Sequence, residues 1–485
     1  MTTSSYADTI DINVVHHVQD KPVSPPVSPT RAAKDPWKIA AVYAAFIVFG
    51  LGSWIMTNSV FIEIAALFQH VPEKSAISAY LIVALQAANI FPMLYMAFNG
   101  EQQLFSIRQA IWVLLALGVG TCVLLSLFWD RTSVFWGHEH STGMSIDLVV
   151  SPHVDFLALL SLVFFGGAVS ATTTVVYYPF VSSFPPVFTS ALATGEGLSG
   201  VVAGVLGIIQ DPGSATMNMS VSVFFISAGS VFAIAMVAFW FLTHSTTSRE
   251  VQHSMYTEDP GEYDCKFTPP VKRVPSRARD HESVPLVSPG QKQLPIHHHH
   301  NFQSSTNRRD YVLRKLWKPL VCQVLLCAMS FGVVPSIMPF LGSKYINSAQ
   351  VLKWSSVLSM ACDPLARFLT SFYRWYNVSA LCVATLVLGL AMTISSTASH
   401  PLFSTFEYGG VAPVVANCIF VFLFAYTQTM IYLTLKREVR FNESYAKTAY
   451  QWSGFLTQMG ALAGTIVIFP LVTYTTWFQT SYGQL

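Results

Sequence analysis

Residues 39–62 read IAAVYAAFIVFGLGSWIMTNSVFI, an apolar run with no charged side chain. About 20 such residues, wound into an α-helix, cross the roughly 30 Å hydrocarbon core of a lipid bilayer. A segment in lipid must satisfy its own backbone N–H and C=O groups, and a helix does so within the segment. The run therefore predicts an all-α polytopic membrane protein whose first helix spans the bilayer.

The composition of the whole chain agrees with this interpretation. Of the 485 residues, 52% are hydrophobic and only 11% are charged, whereas about 25% of an ordinary soluble domain is charged. The 27 Lys and Arg residues nearly balance the 25 Asp and Glu residues, so no basic excess indicates a nucleic-acid partner. A soluble enzyme, a secreted disulfide scaffold and a disordered protein are excluded.

Ten further apolar runs follow, separated by polar segments. We predict eleven transmembrane helices, at 39–62, 76–98, 107–129, 154–178, 187–209, 220–243, 317–340, 351–372, 378–398, 411–434 and 447–472. The chain then divides into a disordered cytosolic tail (1–36), a six-helix N-terminal bundle (37–243), a disordered cytosolic loop (244–316), a five-helix C-terminal bundle (317–473) and an extracellular tail (474–485). Two helical bundles around a central cavity are typical of transporters.

The distribution of Lys and Arg orients these helices. With the N-terminus in the cytosol, the inner segments hold 23 of the 27 Lys and Arg residues and the outer segments hold 4. Positively charged residues concentrate on the cytosolic side of membrane proteins. Because eleven is an odd number, the C-terminus is predicted to lie outside the cell.

Four ionisable side chains fall inside the predicted spans, where an unpaired charge is costly. Asp363 and Arg367 are four residues apart on one helix, so we interpret them as a structural ion pair. Glu63 lies about 37 Å along the first helix and is predicted to face water at the outer mouth. Glu196 lies near the midplane without a basic partner on its own helix, so it is protonated, paired across helices or facing a wet cavity. We expect Glu63 and Glu196 to be gating or proton-sensitive groups.

Neutral polar and aromatic side chains also recur on single helix faces. Each pair alone is more often an interhelical bond than a ligand contact, and Asn417 and Gln428 on one helix are a further example. Together such residues predict a cavity for a planar, hydrogen-bonding and mostly neutral solute. The candidate substrate-binding residues are Trp54, Asn58, Gln86, Asn89, Thr173, Tyr177, Gln451 and Gln458.

The sequence indicates neither a metal nor a cofactor. The histidine-containing segments 138–140 and 297–300 fall in predicted loops, whereas the zinc ligands of a transporter would converge inside the bundle. No Walker-type nucleotide loop occurs, so transport driven by ATP is not predicted. We predict no enzymatic activity and no nucleic-acid binding, and no obligate protein partner is evident.

Five short motifs occur in a characteristic order. They are GSWIMTNSVFIE at 52–63, QAANIFP at 86–92, GEGLSG at 195–200, GVVP at 332–335 and QMGALAG at 458–464. In order and spacing they resemble the eukaryotic riboflavin transporter family (solute carrier family 52). The resemblance extends over both halves of the chain, roughly from residue 45 to residue 472.

The resemblance implies uptake of riboflavin across the plasma membrane by alternating access, without ATP, and with pH sensitivity in some members. Two other classes stay open. One is an equilibrative nucleoside-type carrier for another planar heterocycle, which shares the span count and the long inner loop. The other is a non-transporting multi-span receptor. Competition of riboflavin uptake by uridine separates the two carriers, and measurable solute flux separates a carrier from a receptor.

Overall fold

The computed structural model describes residues 35–70, 84–102, 106–129, 157–211, 218–257, 305–346, 348–439 and 442–478, and every regular element among them is helical. A π-helix, Ala328–Val333, joins α9 to α10. In chain order, the α-helices are α1 Pro36–His70, α2 Ile90–Gln102, α3 Ile107–Phe128, α4 Leu157–Val181, α5 Pro186–Gln210, α6 Val221–His244, α7 Thr246–Thr257, α8 Ser305–Lys315, α9 Trp317–Cys327, α10 Val334–Gly342, α11 Ser348–Leu369, α12 Val378–Thr397, α13 Val411–Glu438 and α14 Glu443–Tyr474.

Within the described ranges, nine helical stretches are long and apolar enough to span a bilayer. They match nine of the eleven predicted spans, with ends that differ by a few residues. Of the predicted span 76–98, the described part holds the shorter apolar helix Ala84–Phe98. The predicted span 351–372 matches α11, whose charged residues Lys353, Asp363 and Arg367 make it more polar than the others. The all-α, multi-span prediction is confirmed, and the count of eleven stays a prediction.

The outward-facing surface of the long helices is apolar. Val113, Val237, Val387 and Ile466 are each more than 60% exposed although their side chains are aliphatic. In water, so much exposed apolar surface would be unfavourable, whereas lipid chains cover it in a bilayer. The exterior therefore agrees with a bundle embedded in a membrane.

Both ends of the segment 244–316, predicted to be a disordered loop, are helical, and the prediction is wrong there. The helix α7 is held against α1 by an ion pair between Lys38 Nζ and Glu250 Oε2 (2.8 Å), and α8 buries Val312. So few apolar residues in a charged sequence give no periodic signal from which a helix is predicted. Other parts of the predicted tails and loop lie outside the described residues, namely 1–34, 258–304 and 479–485.

The helices form two groups, which we call the N-half (α1–α7) and the C-half (α8–α14). In the N-half, α1 packs mainly on α5 and α6, and α3 packs on α4 and α6. In the C-half, α13 packs on α11 and α12, and α14 packs on α9 and the π-helix. The two halves meet along two seams, where α5 contacts α11 and α4 contacts α14.

Glycines allow α5 to lie in close contact with a helix of each half. A Cβ atom on Gly195 would collide with the carbonyl oxygen of Ile47 in α1, and one on Gly197 would collide with the carboxylate of Asp363 in α11. Small residues at such crossings let helix backbones approach. Glu196, between the two glycines, is thereby fixed at the junction of the two halves.

The predicted span 317–340 is not a continuous α-helix. Pro335 has no backbone N–H to bond the carbonyl of Phe331, four residues earlier. The backbone there widens into the π-helix, in which the N–H of Val334 bonds the carbonyl of Met329. Single π-turns inside helices are frequent at functional sites, and this one positions Ser330 and Phe331 at the junction of the halves.

Candidate functional site

A cavity of about 210 Å³ lies at the junction of the two halves, enclosed by α1, α5, the π-helix, α11 and α13. We call it the central cavity. Its wall combines aromatic rings, hydroxyl groups, an amide and an ionic cluster. The lining residues are Trp54, Asn58, Glu196, Gly197, Gly200, Ser330, Phe331, Ser359, Met360, Asp363, Arg367, Val421 and Phe424.

Three charges form the ionic cluster, of which Glu196 and Arg367 are buried and Asp363 is partly exposed. Arg367 Nε donates to Asp363 Oδ2 (2.8 Å), Arg367 Nη2 donates to Gln428 Oε1 (2.9 Å), and Arg367 Nη1 lies 3.5 Å from Glu196 Oε2. The same Glu196 oxygen accepts a hydrogen bond from the Tyr178 hydroxyl (2.6 Å). Because Glu196 belongs to the N-half and Arg367 to the C-half, the cluster ties the two halves together beside the cavity.

Two polar atoms of this cluster have no hydrogen-bond partner among the described residues: Glu196 Oε1 and Arg367 Nη1. The two residues are 7% and 6% exposed, and buried polar atoms are normally satisfied by protein, water or ligand. Both residues line the central cavity, so a separation of the two halves would expose these atoms to a solute as one acceptor and one donor. In the described part of the chain, no group of His, Cys, Asp and Glu side chains is arranged to hold a metal ion.

A second part of the wall is aromatic. The rings of Trp54 and Phe331 are parallel to within 6°, with centroids 5.7 Å apart, and Phe424 meets Phe331 edge to face at 5.4 Å. Beside them, Asn58 Nδ2 donates to Ser199 Oγ (3.0 Å). Trp54 comes from the N-half and Phe331 from the C-half. A planar solute therefore finds one stacking face on each half, together with an amide at the edge.

The bundle is closed at the end at which α1 begins, which we call the N-side end. Between the cavity and this end, the rings of Tyr178 and Tyr432 stack across the halves with centroids 3.7 Å apart. Nearer the end, Thr370 Oγ1 donates to Ser190 Oγ (2.8 Å). All four side chains are buried. These contacts shut off the central cavity from the N-side end.

Lys436 adds another bond between the halves at the N-side end. Its side chain is fully buried, and its Nζ donates to the carbonyl oxygens of Ser182 (2.9 Å) and Phe184. These carbonyls follow the last turn of α4, where C=O groups lack intrahelical partners and the helix dipole is negative. The lysine therefore anchors α13 of the C-half to the end of α4 in the N-half.

A larger cavity, of about 460 Å³, lies between α1, α5 and α11. It is on the side of the central cavity that faces away from the N-side end. We call it the side cavity. Its wall is mostly aliphatic, with Asp211 and Lys353 as its charged residues. Met360 lines both cavities, so the two adjoin. The central cavity thus leads toward the end of the bundle opposite the N-side end.

Three of the candidate residues lie together with the predicted ion pair. Trp54, Asn58 and Glu196 line the central cavity beside Asp363 and Arg367. Of the alternatives left open for Glu196, pairing across helices is the one that the structure shows, because Arg367 reaches it from α11. Spacing along one helix does not reveal a partner supplied by another helix.

Other candidates form bonds between helices away from the wall of the central cavity. Gln86 Nε2 donates to Thr465 Oγ1 (3.1 Å), and Asn89 Nδ2 donates to Gln86 Oε1 (2.9 Å). Gln458 Nε2 lies 3.4 Å from Thr174 Oγ1. Since Thr465 and Gln458 belong to α14 and their partners to the N-half, these amides hold the halves together in this conformation.

The remaining three candidates are not brought to the central cavity either. Thr173 and Tyr177 are fully buried inside the N-half: Thr173 donates to the carbonyl of Ser170 (2.7 Å), and Tyr177 stacks on Phe49 with ring centroids 4.1 Å apart. Gln451, on α14, is half-buried and is not part of the cavity wall.

Glu63 is also placed differently from the expectation. It was expected to face water at a mouth, but its side chain is 0% exposed and accepts a hydrogen bond from Gln210 Nε2 (2.7 Å). The physical reason is that α1 continues to His70 and α5 runs alongside it, so the last turn of α5 covers the carboxyl group.

Sequence reasoning missed Phe331 and Phe424, because a Phe in an apolar run looks like any core or lipid-facing side chain. The one available signal was Pro335, which predicts an interrupted helix close to Phe331. Tyr178 was missed as well. Its bond to Glu196 depends on the side-by-side packing of α4 and α5, which a single sequence does not show.

Comparison with solved structures indicates the class of protein. The fold is similar to that of the proton:xylose symporter XylE of the major facilitator superfamily, solved with 6-bromo-6-deoxy-D-glucose, with a TM-score of 0.56, 11% identity and 92% of each chain covered. At this identity the likeness concerns the fold alone. The protein has the fold of a polytopic membrane transporter built from two helical groups around a cavity.

The sequence then gives the family. The chain matches solute carrier family 52, riboflavin transporter, over residues 39–219 and 214–480, and it therefore belongs to that family, which is one of transporters and not of enzymes. The resemblance predicted from the five motifs is confirmed. The chain is similar to solute carrier family 52, riboflavin transporter, member 3-A of Danio rerio (26% identity, 90% of this chain and 97% of that protein). It is also similar to riboflavin transporter rft-1 of Caenorhabditis elegans (26%, 90% and 96%).

Proposed function

We propose that the protein carries riboflavin into the cell across the plasma membrane by alternating access, without ATP. Membership of the riboflavin transporter family supports the substrate, and the relatives named riboflavin transporters align over nearly their whole length. The observation that carries the proposal is the parallel pair of Trp54 and Phe331 beside the ionic cluster, with one ring on each half.

The chemistry of riboflavin fits this wall. Its flavin ring is planar and carries hydrogen-bonding edges, so it stacks on Trp54 and Phe331 while its edge reaches Asn58. Its ribityl chain is a neutral polyol, whose hydroxyl groups both donate and accept. Glu196 Oε1 and Arg367 Nη1, which have no hydrogen-bond partner among the described residues, supply an acceptor and a donor for such hydroxyls when the halves separate.

The size of the central cavity bears on how the solute enters. Its volume of about 210 Å³ is below the roughly 300–1,000 Å³ of typical ligand sites. The two stacking rings belong to different halves, so a small separation of the halves widens the space between them. We infer that the flavin ring enters between Trp54 and Phe331, and that the side cavity is its route.

The orientation in the membrane is part of the same proposal. Eleven spans, arranged as six plus five, place the N-terminus in the cytosol and the C-terminus outside. The N-side end is then cytosolic, and the closed contacts of Tyr178, Thr370 and Lys436 form an inner gate. The side cavity then leads toward the outside, so the conformation is closed to the cytosol.

The test is uptake of labelled riboflavin by cells that express the protein, compared at equal surface abundance. Trp54→Ala should reduce uptake at least tenfold, because loss of one stacking contact costs about 0.5–1.5 kcal/mol beyond the lost apolar area. Trp54→Phe should retain most uptake. The matched control is Trp240→Ala, since Trp240 is 56% exposed on the apolar exterior and stacks only on His244 among the described rings.

Excess uridine separates the carrier classes. Uptake that unlabelled riboflavin suppresses and uridine leaves unchanged supports the proposal. Suppression by uridine at the same concentration identifies a nucleoside-type carrier. Wild-type uptake no higher than in cells without the protein, at confirmed surface expression, contradicts transport.

A further inference from the structure

Glu63 and Gln210 form a buried pair outside the central cavity. Both side chains are 0% exposed, and Gln210 Nε2 donates to Glu63 Oε1 (2.7 Å). The other oxygen of each group, Glu63 Oε2 and Gln210 Oε1, is also buried and has no hydrogen-bond partner within the described residues. The two side chains are therefore bonded to each other through one pair of atoms, while Glu63 Oε2 and Gln210 Oε1 are left without a hydrogen bond.

A proton on Glu63 would satisfy both of these oxygens. When Glu63 is ionised, Glu63 Oε2 and Gln210 Oε1 are both acceptors, and neither satisfies the other. When Glu63 is protonated, Oε2 becomes an O–H donor for the amide oxygen. A carboxylic acid and a primary amide are able to bond at two points, N–H to acid oxygen and O–H to amide oxygen, and the first of these bonds is present here. The neutral form also avoids burying an unpaired charge in a low-dielectric interior.

No cation compensates for an ionised Glu63 in the surrounding described elements. The helix α4 carries no Asp, Glu, Lys, Arg or His. The only such residues of α3 and α6, Arg108 and His244, lie at the N-side ends of their helices, far from Glu63. On α5, the adjacent Asp211 is exposed and carries the same sign of charge. Lys353 of α11 stands across the side cavity, with no contact to Glu63 among the ion pairs of the described residues.

The pair also lies directly behind the wall of the side cavity. Ile62, the residue before Glu63, lines that cavity. So do Gly207, one helical turn before Gln210, and Asp211, the residue after it. A Cβ atom on Gly207 would collide with Ile62, so α1 and α5 are tightly packed at this level. An ionised Glu63 requires water, and a separation of α1 from α5 would admit it from the side cavity.

We propose that Glu63 is a proton-binding site, paired with Gln210, which links protonation to the packing of α1 on α5 at the side cavity. The conformation with Glu63 buried holds the proton, and a conformation that hydrates Glu63 releases it. Acid pH therefore favours the conformation seen here. This rests on the proposed function only where riboflavin uptake is the readout. Unlike Glu63, Glu196 has a cation nearby, since Arg367 Nη1 lies 3.5 Å from Glu196 Oε2.

The direct test is infrared spectroscopy of the purified full-length protein in lipid nanodiscs at neutral pH. The wild type should show a carboxylic acid C=O band that Glu63→Gln removes and that the matched control Glu407→Gln retains, since Glu407 is exposed between α12 and α13. Gln210→Ala should shift this band, because the amide partner is gone. A spectrum that Glu63→Gln leaves unchanged overturns the proton site, and an unshifted band in Gln210→Ala overturns the pairing.

Riboflavin uptake between about pH 5 and pH 8 tests the link to transport. Wild-type uptake should change with pH, because protonation of Glu63 favours one of the conformations of the transport cycle. Glu63→Gln should flatten the profile, while Glu407→Gln keeps it. A wild-type profile that is already flat, or a Glu63→Gln profile like the wild type, overturns the link. Because the infrared test needs no transport, it decides the proton site even if riboflavin proves not to be the substrate.

Discussion

Lys436 provides the sharpest prediction about the inner gate. The substitution Lys436→Met keeps the length and the apolar stem of the side chain but removes the ammonium group. The carbonyl oxygens of Ser182 and Phe184 then lose the donor that Lys436 provides. Since both carbonyls belong to the N-half and Lys436 to the C-half, the loss weakens the closed gate and leaves each half internally unchanged.

The expected magnitude follows from two opposing effects. Two buried carbonyls without their donor cost about 1–3 kcal/mol each. Removing the ammonium group also relieves the desolvation of a buried charge, which is several kcal/mol before its bonds compensate. We expect a net loss of about 2 kcal/mol for the closed state, which is roughly a 30-fold shift toward the open gate because about 1.4 kcal/mol corresponds to a factor of ten.

The assay measures opening of the gate with a reporter thiol. Ser190 is fully buried between the halves and bonds Thr370, so Ser190→Cys is labelled by a membrane-impermeant maleimide only when the gate opens. Labelling is followed in inside-out vesicles, and the rate of the protein without Ser190→Cys is subtracted. Lys436→Met should raise the labelling rate by one to two orders of magnitude.

Lys344→Met is the matched control for this experiment. Lys344 is also buried and donates to two backbone carbonyls, those of Ser396 (2.5 Å) and Ala398 (2.5 Å), but all three residues belong to the C-half. The control should leave the labelling rate unchanged. Equal rates in Lys436→Met and the parent, or equal increases in both lysine variants, would refute the assignment of Lys436 to the gate.

Three further predictions follow from the packing, the ionic cluster and the charge distribution. Gly197→Ala should destabilise the purified protein by about 1–3 kcal/mol, because the added methyl group meets Asp363, and an unchanged melting temperature contradicts this close contact. Arg367→Met should cost about 3–5 kcal/mol and abolish surface expression, whereas Arg367→Lys should restore part of it; equal expression of both variants would show that the charge is not needed. An epitope placed after Leu485 should bind antibody on intact cells, and one placed in 281–300 should bind only after permeabilisation; the reverse pattern contradicts the proposed topology.

Much of the fold was predictable because its cause lies in single segments. Long runs without charge, such as 39–62, must be helical in lipid, whatever they pack against. The helices at 246–257 and 305–315 were not predictable in this way, since each depends on a few contacts with another helix, such as Lys38 with Glu250. The π-helix was predictable only in part, because Pro335 indicates an interrupted helix whereas the form of the interruption also depends on packing against α14.

The candidate site was predictable where a residue is unusual for its surroundings. A Trp, an Asn and a Glu in otherwise aliphatic runs indicated Trp54, Asn58 and Glu196, and these do meet at the central cavity. Partners on other helices were not predictable, because a single sequence carries no information on which helices adjoin. The contact of Arg367 with Glu196 and the burial of Glu63 by Gln210 are both of this kind.

The most direct test of the account is flux into proteoliposomes that contain only the purified full-length chain. With no ATP present, the wild type should admit labelled riboflavin to a level that unlabelled riboflavin competes for. Trp54→Ala, reconstituted in equal amount, should admit it at least tenfold more slowly, and Trp240→Ala should match the wild type. Wild-type liposomes that fill no faster than empty ones, or equal rates for Trp54→Ala and Trp240→Ala, would contradict a riboflavin carrier that works through the central cavity.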